Sequence, residues 1–297
     1  MFDIIFLGLS LGSILLLVAL GLAITFGAMG VINLAHGEMV MIGAYTAVLC
    51  RIHFDLGLLA AIPIAFVAAA LVGLAIERLI IRKLYGRILD TLLATWGLSI
   101  LLQQAVRLEM GLSFFGVHID GLGSGLQKVD VPHWMVGAVQ IGSVDLNIFR
   151  VFILVVAVLL TSLTGYLLYY TSIGMQLRAI MRNPKMAAAS GIDVSRINSL
   201  TFAYGSGLAG VAGVMMAGFK TVFPDMGTAL VVDGFLAVVV GGVGSLAGTI
   251  AAAALLGQIN SLFSLLASDV VARAVVFTVV VAIITFRPKG LFFVKGR

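Results

Sequence analysis

Charge is scarce in this sequence. Only 10% of the 297 residues are Asp, Glu, Lys or Arg, whereas 61% are hydrophobic. A soluble domain carries about 25% charged residues, so this composition excludes an ordinary soluble protein and predicts an integral membrane protein. Apolar runs longer than about 18 residues recur, which favours spanning helices over the alternating strands of a membrane barrel. We therefore predict an all-α, polytopic helical membrane protein.

Cysteine is almost absent. The single Cys50 excludes a disulfide framework within the chain and a metal site built from four cysteines. His36 and Glu38 stand in the His-x-Glu arrangement of zinc deaminases, but the cysteine ligands that complete such a site are missing. No Ser-His-Asp set and no pair of facing carboxylates stands out. We therefore expect no catalytic residues, no metal and no enzyme activity in this chain.

A nucleotide-binding loop is also missing. The phosphate-binding pattern GxxxxGK[ST] occurs nowhere, so any ATP that drives transport must bind to another subunit. A GxGxxG match at 205–210 lies inside an apolar run, without the preceding strand that a dinucleotide site needs. Small residues recur there every four positions and predict a ridge for close helix packing. The ridge consists of Gly205, Ala209, Gly213 and Ala217.

Positive charge is confined to segments between the apolar runs. Basic residues cluster at 77–87, at 172–197 and in the tail 287–297, which the positive-inside rule assigns to the cytoplasm. The net charge of +5 therefore reflects orientation, and we expect no nucleic acid as a partner. In the first of these segments, Glu77 is expected to form an interfacial ion pair of little energy with a neighbouring arginine.

The longest segment without an apolar run lies at 108–147. It is rich in glycine and acidic residues, and we assign it to the extracytoplasmic side. Counting the crossings between these segments predicts eight or nine membrane segments, with the N-terminus outside and the C-terminus inside. We treat residues 1–297 as a single transmembrane domain.

Two glycine-rich breaks interrupt the apolar runs. The first, at 27–37, is followed by a short apolar segment at 38–49. The second lies within 229–257, which is too short for two full spans, so we predict two half-helices that meet at 241–245. Short interrupted segments in corresponding positions of two halves point to a transport site at the membrane midplane and suit inverted repeats.

Polar residues within the apolar runs are candidates to line a solute path. Polar groups inside a bilayer are costly, and they usually face the bundle interior or water. Most of those found here are uncharged, which suits a small, net-neutral solute better than an ion. The three residues at the first break have an alternative role, which is to hold the bend together. The candidates are Asn33, His36, Glu38, Thr95, Gln103 and Asp233.

The basic segment 172–197 contains a predicted short helix. Asn183 and Pro184 form a helix start and Gly191 suits the position after a helix end, which predicts a helix at 185–190. Its small residues would form a nearly flat surface for docking into a groove of another protein. The alternative is a solvated loop that its charge keeps inside. The candidate docking residues are Asn183, Pro184, Ala187, Ala188 and Gly191.

Long stretches of the chain resemble one family. LGLAITFGAMGVINLAHGEMVMIGAYTA at 20–47 and DGFLAVVVGGVGSLAGT at 233–249 resemble permease subunits of ABC importers for branched-chain amino acids and related small polar solutes. The segment 183–210 resembles the cytoplasmic coupling loop of that family with its following span, and RPKGLF at 287–292 resembles its C-terminal ending. Within the family, LYGRILDTLLATWGLSILLQQ at 84–104 is more similar to the urea-transporter permease.

The resemblance implies a complex embedded in the lipid of a bacterial inner membrane. The implied partners are a homologous second permease, two cytoplasmic ATPase subunits that bind ATP and magnesium, and a periplasmic solute-binding protein. That protein would meet segments 108–147 and 219–229, and the helix within 183–191 would dock on the ATPase. Urea or a short amide is the first expected solute, and a branched-chain amino acid is the second. A passive homo-oligomeric channel and an ion-coupled carrier centred on Asp233 are the alternatives.

Overall fold

The apolar runs fold into helices. The computed structural model describes residues 2–111, 118–141, 144–288 and 290–292. Most of these residues are helical, and the helices follow one another closely except between residues 108 and 147. In chain order the helices are α1 (Phe2–Met29), α2 (His36–Phe54), α3 (Leu58–Leu79), α4 (Ile88–Arg107), α5 (Ile148–Tyr170), α6 (Ser172–Arg182), α7 (Pro184–Ala189), α8 (Val194–Ala217), α9 (Met226–Gly241), α10 (Leu246–Leu266) and α11 (Asp269–Phe286).

Six helices of the described chain are long and apolar enough to cross a membrane: α1, α3, α5, α8, α10 and α11. Helix α9 is apolar but has only 16 residues, or about 24 Å, which is less than the thickness of about 30 Å of a bilayer hydrocarbon core. Helices α2 and α4 have 19 and 20 residues and carry charged side chains. The predicted polytopic all-α fold is confirmed.

The first predicted break is present, but the helix after it is longer than expected. α1 ends at Met29, and Gly30 takes a left-handed backbone with φ of +65°. α2 then runs for 19 residues from His36 to Phe54, whereas the sequence predicts a short segment that ends near residue 49. The helix continues through Arg51 and ends at Asp55, which has a left-handed backbone with φ of +51°. The N–H of Leu56 then donates to the carbonyl of Cys50.

The second predicted break is present at 242–245, where Gly242 and Gly244 have φ of +102° and +83°. Helix α9 before it is short, as predicted, but α10 after it has 21 residues and is not a half-helix. Gly257 does not end α10, because it lies against α1. A β-carbon added there would lie 2.6 Å from the carbonyl oxygen of Gly8, so this glycine serves close packing.

Helix α8 lies at the centre of the described bundle. It contacts α1, α2 and α3, and most of its residues are buried, including all four of the predicted ridge. A β-carbon on Gly205 would lie 2.9 Å from the Gly21 carbonyl oxygen on α1, and one on Gly213 would lie 2.0 Å from the Val40 carbonyl oxygen on α2. The small residues therefore allow close packing against two different helices, α1 and α2, because other helices surround α8.

Helices α1–α4 and α8–α11 are arranged as two similar units. Helix α1 packs along α10, and α3 packs correspondingly along α8. Helix α1 also meets α8, and α2 meets α9, so the first two helices of each unit contact their counterparts in the other. The contact between α2 and α9 is made where Gly37 faces Gly227. This reciprocal exchange supports the predicted internal repeat.

The two long connecting segments have structure of their own. Within 108–147, strands β1 (Ala138–Ile141) and β2 (Val144–Asn147) form an antiparallel hairpin, and Gln127 pairs with Val222 near the end of α8. The segment 172–197 contains α6 as well as the predicted short helix, and α6 was not expected. Of the basic tail predicted at 287–297, residue 289 and residues 293–297 lie outside the described residues.

Candidate functional site

A stripe of polar side chains lies on the inner face of α4. Thr95, Ser99 and Gln103 are four residues apart and therefore share one side of the helix. The Thr95 hydroxyl accepts a hydrogen bond from the backbone N–H of Leu34 at 3.2 Å. The Ser99 hydroxyl and the Gln103 amide donate to Oε1 of Glu38 at 2.7 Å and 2.8 Å. The structure thus places three of the six predicted path residues at this face of α4: Glu38, Thr95 and Gln103.

Glu38 lies at the inner end of this network, and it is fully buried. A buried carboxylate is costly unless hydrogen bonds compensate its lost hydration. Here both donors bind Oε1, while Oε2 has no hydrogen-bond partner among the described residues. Gln103 also donates to the Thr228 hydroxyl at 3.1 Å, at the exposed end of α9. The Gln103 amide therefore lies between the buried carboxylate and the exposed first turn of α9.

His36 and Asn33 hold the bend between α1 and α2. The His36 ring is fully buried against Gly21, and its Nε2 lies 3.3 Å from the carbonyl oxygen of Val18. The backbone carbonyl of Asn33 accepts from the His36 N–H at 3.3 Å. These contacts favour the structural role that the sequence leaves open for the pair. Asn33 Oδ1 and His36 Nδ1 are nevertheless buried without a hydrogen-bond partner in the described part of the chain.

Asp233 lies apart from this network. It is on α9, where its Oδ2 forms an ion pair at 3.2 Å with Arg273 of α11. The predicted path residues therefore do not form a single set. Glu38 binds α4 in one unit and Asp233 binds α11 in the other, so each unit attaches its last helix through an acidic side chain of its second helix.

The residues that sequence reasoning missed are the partners of these acids. Ser99 was detectable, because it completes the four-residue spacing between Thr95 and Gln103. Arg273 and Thr228 were not, because their pairing joins helices that are distant in sequence and only the fold brings them together.

Glu77 forms a buried network rather than the weak interfacial pair that the sequence predicts. Its carboxylate is fully buried and receives Arg82 at 3.2 Å, the Tyr85 hydroxyl at 2.7 Å and the Ser199 hydroxyl at 2.6 Å. Burial and the hydrogen bond to Glu77 raise the pKa of Tyr85. The expected ion pair with an arginine is present, but its carboxylate is buried because Ser199 belongs to α8, which covers Glu77. Arg78, the alternative partner, is exposed.

The short helix of the 172–197 segment is α7, from Pro184 to Ala189. Its start is as predicted: the Asn183 side chain accepts from the Met186 N–H at 3.1 Å, and Pro184 occupies the first turn. Gly191 has φ of +84°, a backbone that favours glycine. Met186 and Ala188 are exposed.

Ala187 is a correction to the predicted docking surface. It is buried among Leu177, Ile180 and Ile197, so it faces the body of this chain and cannot contact a partner. The reason is α6, whose apolar face lies under α7. The alternation of Leu177 and Ile180 with charged residues is the helical signal that sequence reasoning overlooked.

Comparison with known proteins identifies the class of this chain. Residues 4–285 match the family described as the permease component of the branched-chain amino acid transport system. The chain belongs to this family. It is therefore a multi-pass permease of the kind found in ABC importers of the bacterial inner membrane.

Individual relatives agree with this assignment. The chain is 32% identical to the high-affinity branched-chain amino acid transport system permease protein LivH of Escherichia coli (strain K12), over 96% of this chain and 93% of that protein. It is 30% identical to the corresponding permease protein BraD of Pseudomonas aeruginosa, with the same coverage. It is 29% identical to the probable branched-chain amino acid transport permease protein LivH of Methanocaldococcus jannaschii, over 85% and 78%. No solved structure matches the chain.

The expected closeness to urea-transporter permeases is not supported. The matching family and these three relatives are described for branched-chain amino acids. The local similarity at 84–104 falls on α4 and the turn before it, which is a small part of the matched length.

Proposed function

We propose that this chain is the membrane permease subunit of an ATP-driven importer that takes up branched-chain amino acids. The observation that carries the proposal is the family match over residues 4–285, together with relatives that align over nearly the whole chain. Two cytoplasmic ATPase subunits, a homologous second permease and a periplasmic binding protein complete the complex. The N-terminus and the segment 108–147 lie outside, while the segment 172–197 and the C-terminus lie inside.

Helix α7 is the element that docks on the ATPase. Its exposed Met186 and Ala188 form a small apolar surface, and the exposed Lys185 and Arg182 lie beside it. The buried Ala187 fixes α7 to the bundle on the opposite side. A push on α7 is therefore transmitted to the body of the permease instead of being absorbed by a flexible loop.

Helix α4 is the element that moves. Its inner face contacts the bundle through hydroxyl and amide groups as well as through Val106, and its ion pair between Arg107 and Asp225 is at the helix end. Polar contacts of this kind can be exchanged for others in a second arrangement, whereas interlocked apolar side chains resist sliding. We assign the Gln103 bridge between Glu38 and Thr228 as the closed position of the path.

The Asp233 carrier is the weaker alternative. An acid that couples transport to an ion must release and rebind that ion, but Asp233 already has a cationic partner in Arg273. A passive channel would not need the docking surface of α7. Both alternatives predict uptake that does not depend on ATP.

Reconstitution tests the proposal. The permease is placed in vesicles with its partner permease, its ATPase subunits and its binding protein, and uptake of labelled leucine and labelled urea is measured with and without ATP. We expect ATP-dependent leucine uptake and no urea uptake above that of empty vesicles. Uptake by this chain alone, unaffected by ATP, would show a channel, and uptake driven only by an ion gradient would show a carrier.

A further inference from the structure

A second polar site lies around Asp233, away from the Glu38 network. A cavity of about 150 Å³ opens there between α1, α9, α10 and α11, beside the end of α8. Its polar lining consists of Lys220, Asp233, Asn260 and Arg273. Two nearby connections between helices, 218–225 and 267–268, lie on the outer side of the membrane in the proposed orientation. The cavity thus lies where a solute from outside would first enter the permease.

The charges of this cavity have both signs. Asp233 and Arg273 form their ion pair at 3.2 Å on one wall, and about a quarter of the Asp233 side chain is exposed. Lys220 lines the mouth, and its ammonium forms no ion pair with any described residue within 4.0 Å. The Asn260 side-chain amide likewise has no hydrogen bond to a described residue. The cavity therefore offers one anionic group, two cationic groups and a free amide to a ligand.

The rest of the cavity wall is aliphatic. Leu11, Ile14 and Leu15 of α1 face Leu230 of α9 and Val276 of α11. Such a wall suits a branched alkyl chain, because it removes apolar surface from water without burying a polar group. A ligand that fits must therefore carry a small charged end and a short aliphatic end.

The signs of the charges restrict the chemical class of the ligand further. A simple anion would meet the carboxylate of Asp233, and a simple cation would meet Arg273 and Lys220. A zwitterion satisfies both, since its ammonium donates hydrogen bonds to the Asp233 carboxylate and its carboxylate accepts hydrogen bonds from Lys220 and Arg273. A neutral solute such as urea would leave the Lys220 ammonium, which forms no ion pair with a described residue, without a counter-charge.

We propose that this cavity is an outer binding site for the zwitterion of an aliphatic α-amino acid. The proposal rests on the proposed function and adds to it the site that receives the solute. The ammonium group binds Asp233 and the Asn260 carbonyl, the carboxylate binds Lys220 and Arg273, and the side chain lies against α1. Release toward the Glu38 network follows from movement of the helices.

Thiol labelling tests the site in the assembled complex. Cys50 is the single cysteine of the chain and is buried, so a Leu236→Cys variant, at a lining residue to which the proposal assigns no ligand contact, gives this chain one accessible thiol at the cavity. A membrane-impermeant thiol reagent is applied from the outer side, without ATP, and the labelling rate is measured against leucine concentration. We expect leucine to slow labelling, while 4-methylpentanoate, isoamylamine and urea, each lacking at least one of the two charges, leave the rate unchanged.

A second variant probes the carboxylate contact. Lys220→Gln removes a charge that forms no ion pair with a described residue, so we expect the variant to fold. The leucine concentration that halves the labelling rate should rise about tenfold, the effect of one charge-assisted hydrogen bond at a partly exposed site. Lys128→Gln is the matched control, because Lys128 is an exposed base outside the cavity.

The outcomes separate this proposal from the proposed function. A labelling rate that does not change with leucine concentration, in a complex that still imports leucine with ATP, would overturn the cavity site. The proposed function as an importer would be unaffected. Labelling that is slow even without leucine, and that becomes faster only when phospholipid is removed, would show that a lipid headgroup occupies the cavity. This result would also overturn the site. Absence of any ATP-dependent leucine uptake by the unaltered complex would overturn the function itself.

Discussion

Gly37 and Gly227 face each other where the two helical units meet. A β-carbon on Gly37 would lie 2.3 Å from the carbonyl oxygen of Gly227, and one on Gly227 would lie 2.1 Å from that of Gly37. Each glycine thus makes room for the backbone of the other. The contact lies next to Glu38, so the close approach of α2 and α9 also sets the position of the buried carboxylate.

Substitution of either glycine by alanine should destabilise the permease. The added methyl group meets backbone atoms that cannot rotate away, and overpacking of this kind typically costs about 1–3 kcal/mol. We expect Gly37→Ala and Gly227→Ala to lower the thermal stability of the purified complex. Gly97→Ala is the control, since nothing lies within 4 Å of a β-carbon there and alanine favours the helix. Equal stability of all three variants would contradict the close contact.

The Tyr85 hydroxyl should contribute to stability through Glu77. Tyr85→Phe keeps the ring but removes the donor at 2.7 Å from a buried carboxylate, and a hydrogen bond to a charged group contributes about 1.5–3 kcal/mol. We expect a lower free energy of unfolding, measured with a denaturant series in detergent. Tyr166→Phe removes a hydroxyl from an exposed ring and should have no effect. A change of the same size in both variants would show that Glu77 does not depend on Tyr85.

Neighbouring alanines of α7 should behave differently. Ala187→Glu places a charge among Leu177 and Ile180, so we expect loss of the folded permease from the membrane. Ala188→Glu changes only an exposed surface. It should leave the permease folded but reduce ATP-dependent uptake and co-purification of the ATPase subunits. Normal assembly of the Ala188→Glu complex would argue against α7 as the docking helix.

The sequence predicts the helices well because each follows from a local apolar run or a local break. The cap at Asn183, for example, depends only on residues three positions away. The exposure of Ala187 was predicted wrongly because it depends on α6, which the basic residues concealed. The pairing of Asp233 with Arg273 depends on how α9 and α11 pack, and no local pattern carries that information.

The segment after α4 should respond to acid through Glu109. Its carboxylate accepts from the Ile119 N–H at 2.7 Å and lies 3.1 Å from Nδ1 of His118, and these contacts lower its pKa. A carboxyl group with a lowered pKa stabilises the folded segment above its ordinary pKa of about 4.3, and this contribution is lost as the pH falls through the folded value.

Hydrogen exchange of the Ile119 amide measures this response. After correction for the intrinsic rate, protection should be constant near neutral pH and should fall only at pH values below the ordinary carboxyl pKa of about 4.3, as Glu109 becomes protonated. A Glu109→Gln variant should have weak protection throughout, with no transition. An acid transition that persists in that variant would assign the effect to another group.

Gln103 and Gln104 offer the sharpest test of the path through the permease. They are adjacent on α4, but Gln103 bridges Glu38 and Thr228, whereas Gln104 is exposed on the other side of the helix. Gln103→Leu leaves only Ser99 to compensate the buried carboxylate and removes the bridge that closes the network. Gln104→Leu makes the same chemical change, an amide side chain to an alkyl one, but leaves the Gln103 bridge intact.

If the bridge is the closed position, its loss favours the open arrangement. We then expect Gln103→Leu to let leucine cross without ATP and to increase the number of ATP molecules hydrolysed for each leucine imported. The closed arrangement loses about 1.5–3 kcal/mol, so the leak should be large enough to measure in vesicles. A merely structural role for Gln103 would lower only the amount of folded complex. Each complex that remained would still couple transport to hydrolysis. The number of ATP molecules hydrolysed for each leucine would then equal that of Gln104→Leu.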